Sequence, residues 1–166
     1  MNPTPAPTLP QPITVRWALD SASPGSLVAT DLPTLEAALD ELHDRATDAD
    51  RPRLISLYPT PTRPLDGHVP QTDDQTTTGP ILAITVGASQ AIVTWTYLQR
   101  DASPLAIVST SGTTNDESSL DVDDANGGRS EFPAWMLIPM TTARAAVRAF
   151  ATDPNAPPGG ITWAQW

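Results

Sequence analysis

Only two stretches of this chain repeat their apolar residues at helical spacing; almost all the other apolar residues alternate in short runs. In the first stretch Leu35, Leu39 and Leu42 form the stripe, and a helix is predicted from about Leu32 to Ala46. Asp31 or Thr30 can cap it, and Pro33 suits its first turn. Glu36, Asp40, His43 and Asp44 fall off the stripe on a solvated face, with His43 read as an exposed neighbour of Asp40. The second helix is predicted from about Thr141 to Ala151. Met140, Ala143, Val147 and Phe150 face inward there, and Arg144 and Arg148 face out.

The alternating runs set the rest. Ile13, Val15, Trp17 and Leu19 give a first strand with one apolar face, and a turn at 23–26 leads to a short returning strand at Leu27 to Ala29. Further strands are predicted at Arg53 to Tyr58, at Ile81 to Val86, through Ala91, Val93, Trp95 and Tyr97, and at Leu105 to Thr110. The run at 81–86 is the most apolar and is expected at the centre of the sheet. Gly87 to Gln90 joins it to the next strand as a hairpin. Glu131 to Ile138 is predicted as a strand near an edge or bulge because of Pro133, and Ile161 to Trp163 as the last. The order β-β-α-β-β-β-β-β-α-β, with hairpin-length links, argues for a single α+β domain: a mainly antiparallel sheet with two helices packed on it. Residues 1–12, rich in proline, are read as a tail outside the core, and 13–166 as the domain. Residues 59–80 form a long Pro-rich loop.

Composition narrows the function classes. The chain has no cysteine, so disulfides, thiol nucleophiles and thiolate metal sites are all excluded. Neither a signal peptide nor an apolar run long enough to span a bilayer is visible, so a cytoplasmic place and no membrane partner are expected. Net charge is −10, every positive residue is Arg, and no basic patch is present. Direct nucleic-acid binding is therefore not expected, while a basic partner is favoured.

The motifs for catalysis are weak. Gly87-x-Ser89-x-Ala91 has the glycine and serine of a nucleophile elbow, but residues 92–97 continue as a strand where that motif needs a helix. Asp121, Asp123, Asp124 and Asn126 suggest a calcium loop, yet the fifth, sixth and twelfth positions are Ala125, Asn126 and Phe132. His43 and His68 have no spacing that joins them to a nucleophile or a metal. No catalytic residue, cofactor or metal site is assigned. The densest charge lies in the polar stretch 111–128 and just beyond, where Asp116, Glu117, Asp121, Asp123, Asp124 and Glu131 stand against the single Arg129. By itself such a run reads as a solvated loop. Trp17, Trp95 and Trp163 are expected in or near the core, and Trp135 and Trp166 are open to either burial or an interface.

The end of the chain carries a resemblance. From Ser130 it reads S-E-F-P-A-W-M-L-I-P-M, then an Ala-rich run to Phe150, a Pro/Gly loop and I-T-W at 161–163. This resembles the C-terminal signature of immunity proteins of bacterial polymorphic toxin systems, in the family numbered one, found beside deaminase toxins. Glu131, Pro133, Pro139, Ala146, Phe150 and Trp163 are the matching positions, whereas the link at 152–160 is longer than the family's usual Thr-Gly-x-x-Pro. The resemblance implies a non-enzymatic inhibitor that binds a cognate protein toxin, basic and acting on nucleic acid, and occludes its substrate. On that reading Asp116, Glu117, Asp121, Asp123, Asp124 and Glu131 steer the toxin, and Trp135 is a candidate anchor. The alternatives are a binding or scaffold module using the Pro-rich segments and, more remotely, a small hydrolase.

Overall fold

A computed structural model describes residues 4–18, 24–60, 79–98, 103, 105–111, 118–123 and 128–165. The described residues form eleven strands and two α-helices: β1 Thr8–Ala18, β2 Pro24–Asp31, α1 Leu32–Asp48, β3 Arg53–Pro59, β4 Gly79–Val86, β5 Gln90–Ala91, β6 Val93–Leu98, β7 Leu105–Ser109, β8 Ser119–Asp123, β9 Arg129–Pro133, β10 Ile138–Pro139, α2 Met140–Thr152 and β11 Trp163–Gln165. A single 3-10 turn, Ala134–Met136, separates β9 from β10. The main path runs β11-β7-β6-β4-β3-β1-β2, so the apolar β4 is central as predicted. All its neighbouring pairs are antiparallel. The fold is α+β, with two helices and a mainly antiparallel sheet.

Strand alternation sorts the core into two clusters on opposite faces. On one face, Leu35, Leu39, Leu42 and Ala46 of α1 and Ala143, Val147 and Phe150 of α2 cover Ile13, Val15, Ile55, Leu57, Leu82, Ile84, Val93 and Trp95. Asp31 fixes where α1 begins: it is the last residue of β2, its backbone still extended, and its Oδ1 accepts the Thr34 N–H at 2.8 Å. Arg144 reaches Asp40 at 2.7 Å and Arg148 reaches Glu36, so the polar sides of the two helices are joined, not simply solvated. On the other face a smaller cluster gathers Ile92, Val108, Val122, Ala134, Met136 and Leu137. Ile92 belongs to it because the chain bulges between β5 and β6. The Ile92 N–H donates to Thr85 Oγ1 at 2.9 Å, and its carbonyl accepts the Thr85 N–H. The buried Ser109 hydroxyl then ties this face together, accepting the Val93 N–H at 3.0 Å and donating to the Met136 carbonyl at 2.7 Å.

Several boundaries differ from expectation. β1 starts at Thr8, so residues 8–12, assigned to the tail, belong to the sheet, and Leu9 packs on the core. Pro10 and Pro12 are tolerated because the register breaks between Thr8 and Ile13, where a ladder N–H is not needed. Pro24 to Ser26, read as a turn, are already paired with Ala18 to Arg16. The predicted strand 131–138 is broken in two by the 3-10 turn, and β10 leaves the main sheet to pair with β5. The last strand lies two residues later than predicted, at the β7 edge. Of the long loop, residues 61–78 lie outside the described residues, as do Leu19, His68 and Trp166.

Candidate functional site

The largest departure falls on the acidic stretch. Residues 119–123, read as loop, form β8, and β8 pairs antiparallel with β9. The reason is an alternation hidden among the charges. Leu120 and Val122 point one way, opposite Phe132 and Ser130, and Val122 is buried in the second cluster. Ser119, Asp121 and Asp123 point the other way, opposite Pro133, Glu131 and Arg129. The hairpin attaches to the sheet where β1 leaves off. β1 pairs with β3 only from Ile55 onward, and β8 takes the vacant edge at Arg53, parallel to it, with the Asp123 N–H donating to the Pro52 carbonyl at 3.0 Å.

This placement makes a groove between the outward row of the hairpin and the chain leaving α1. Asp50, Arg51, Pro52, Asp121, Asp123 and Glu131 line it, together with Ser119, Leu120 and Arg129. Four carboxylates thus face two guanidinium groups. Asp121 and Glu131 sit directly opposite one another across the ladder, an arrangement that destabilises a hairpin through like-charge repulsion. Each is drawn aside by a neighbour: Asp121 pairs with Arg129 at 2.5 Å, and Glu131 accepts from the Ser119 hydroxyl. Asp123 lies 3.6 Å from Arg51. Asp121 and both arginines are at least half exposed, so these pairs each contribute less than about 1 kcal/mol and can be exchanged for others. A groove of this kind offers exposed carboxylates to a cationic side chain without needing to refold.

Of the sequence-derived candidates, Asp121, Asp123 and Glu131 are therefore brought together, while Asp116, Glu117 and Asp124 lie outside the described residues. Trp135 does not line the groove. It sits on the 3-10 turn, half-buried against the second cluster, and its carbonyl accepts from the Ser111 N–H at 2.8 Å. Asp50 and Arg51 were not singled out from the sequence. They enter the groove through the β3–β8 contact, which joins residues 70 positions apart and leaves no local signal. Asp50 has φ of 48° at the C-terminal end of α1, a left-handed turn that Asp tolerates better than most residues. Ser89 lies in the turn between β4 and β5, followed by strand, so the elbow geometry is not built. Among the described residues no three His, Asp or Glu side chains converge as metal ligands, and no helix is long and apolar enough to cross a membrane.

Residues 34–165 match the family model described as Immunity protein Imm1. That span runs from the first turn of α1 to the end of β11 and includes the hairpin and the groove. No curated protein matches the chain significantly.

Proposed function

This chain belongs to the Imm1 immunity protein family, and from that membership we propose that it neutralises one cognate toxin by binding over the site where the toxin takes its substrate. Immunity proteins of this kind are generally non-enzymatic, so the role is carried by a surface. The toxin is inferred to be a nucleic-acid deaminase, in keeping with the C-terminal tract from Ser130 to Trp163. A protein that handles nucleic acid presents basic side chains, and a chain of net charge −10 attracts it.

The observation that carries the surface is the outward row of the β8–β9 hairpin, where Asp121, Asp123 and Glu131 stand in one groove with Asp50. The row would steer the toxin, and Trp135 at the end of the hairpin would help to anchor it. Inhibition at nanomolar strength corresponds to about −12 kcal/mol. An interface of about 800 Å² per partner supplies this when a few residues are well anchored.

The test is co-expression with a deaminase toxin domain, followed by association kinetics with wild type and with the triple variant Asp121→Asn, Asp123→Asn, Glu131→Gln. Wild type is expected to protect the cell, and the triple variant to associate about tenfold more slowly with a flatter salt dependence. Killing that continues despite folded, soluble protein removes the assignment to that toxin. Unchanged kinetics in the triple variant removes the hairpin from the interface.

A further inference from the structure

His43 was expected to be an exposed surface residue, and it is not. Its ring is half-buried, and Nδ1 accepts the backbone N–H of Gly87 at 3.1 Å. Gly87 opens the turn between β4 and β5 with φ of 95°, and a Cβ there would stand 2.6 Å from the Ala46 methyl. The turn therefore lies tight against the last turns of α1, at a point where only glycine fits. Two residues later the Ser89 carbonyl accepts the N–H of Met140, the first residue of α2. Gln90 and Ala91 then pair with Pro139 and Ile138. One three-residue turn thus joins the end of one helix to the start of the other, and His43 holds it by a single acceptor atom.

We propose that His43 is an acid-sensitive latch on this joint, closed when its imidazole is neutral and opened when it takes up a proton. The chemistry is simple. An imidazole nitrogen accepts a hydrogen bond only while it carries no proton, so the bond requires the tautomer with its hydrogen on Nε2. Protonation puts a second donor against the Gly87 N–H and leaves that N–H without its acceptor.

The charged groups around the ring do not offset this. On α1, Asp40 is held by Arg144 of α2, and Asp44 is exposed. The turn Gly87-Ala88-Ser89 has no titratable side chain. On β3, Arg53 is buried and paired with Val86, the residue before the turn. Opening releases the turn from α1 while the ion pairs between the two helices persist, so the change stays at the joint.

Amide hydrogen exchange on the full chain tests this without a variant. Corrected for intrinsic exchange, protection of the Gly87 amide is expected to fall about tenfold between about pH 8 and about pH 5. The amides of Ile84 and Trp95 in the sheet should keep theirs. His43→Gln retains an acceptor but cannot titrate, so its Gly87 protection should not depend on pH. Equal protection of Gly87 at both pH values in wild type, or an equal fall in His43→Gln, overturns the latch. So does an Nδ1–H tautomer in the imidazole nitrogen spectrum at the higher pH.

Discussion

On the helix face, α1 and α2 lay eight fully or nearly fully buried side chains over the sheet, and their charges are tied to each other at the outer surface. On the hairpin face, the cover is one β-hairpin and one 3-10 turn, and charge begins a single residue from the buried Val122, at Asp121 and Asp123. The first face is deep and apolar, and fits the task of holding the fold. The second is thin, because a two-stranded ribbon buries one row and must present the other. A ribbon of this kind is marginal alone and depends on the sheet beneath it. The contrast teaches that a charged ribbon can rest on a small cluster of its own, separate from the larger core that holds the helices.

The strongest way to break this comparison is to empty each cluster in turn. Phe150 is fully buried at the centre of the helix face. Phe150→Ala is expected to cost about 3 to 5 kcal/mol in chemical denaturation, a large part of the stability of a domain this size. Val122→Ala removes two methyl groups from the hairpin cluster and is expected to cost about 2 kcal/mol. Its loss should also appear first as faster amide exchange in β8 and β9, with the central strands unaffected. If Val122→Ala destabilises the chain as much as Phe150→Ala, the two faces are one cooperative unit and the division fails.

The helix face was legible in the sequence because its signals are local. Leu35, Leu39 and Leu42 are spaced by one turn, as are Ala143, Val147 and Phe150, and each set is buried as the spacing requires. The central place of β4 followed from its continuous apolar run. The hairpin face was not legible. Val122 is one apolar residue between two aspartates, and the composition of the stretch outweighed its alternation. Its pairing with β9 crosses residues 124–127, outside the described residues, and its contact with β3 is long-range and parallel. Asp121, Asp123 and Glu131 were grouped in the sequence by charge alone; their sharing of one groove required the hairpin, and the places of Asp50 and Arg51 in it required the fold. His43 was missed for the same reason: its partner is a backbone N–H 44 residues away.

The smallest expected effect sharpens the comparison by acid. Asp31 closes the start of α1, and the hydrogen bonds from the Thr34 backbone and side chain hold its carboxyl below the usual value of 3.8. The sign follows from linkage. A group with a depressed folded value binds its proton less readily in the folded state than in the unfolded chain. Its contribution is therefore complete above the unfolded value and is lost as pH falls through the folded one. Thermal unfolding of wild type should show this loss below about pH 4. Asp31→Asn still caps the helix but cannot titrate, so its stability should lie close to wild type at neutral pH and lack this component of the acid loss. The difference should be localised to α1 in amide exchange and leave the β8–β9 hairpin unchanged. A matching acid loss in the hairpin would mean that the cap of α1 supports both faces, through the Asp50 to Pro52 segment that runs from the end of the helix into the groove.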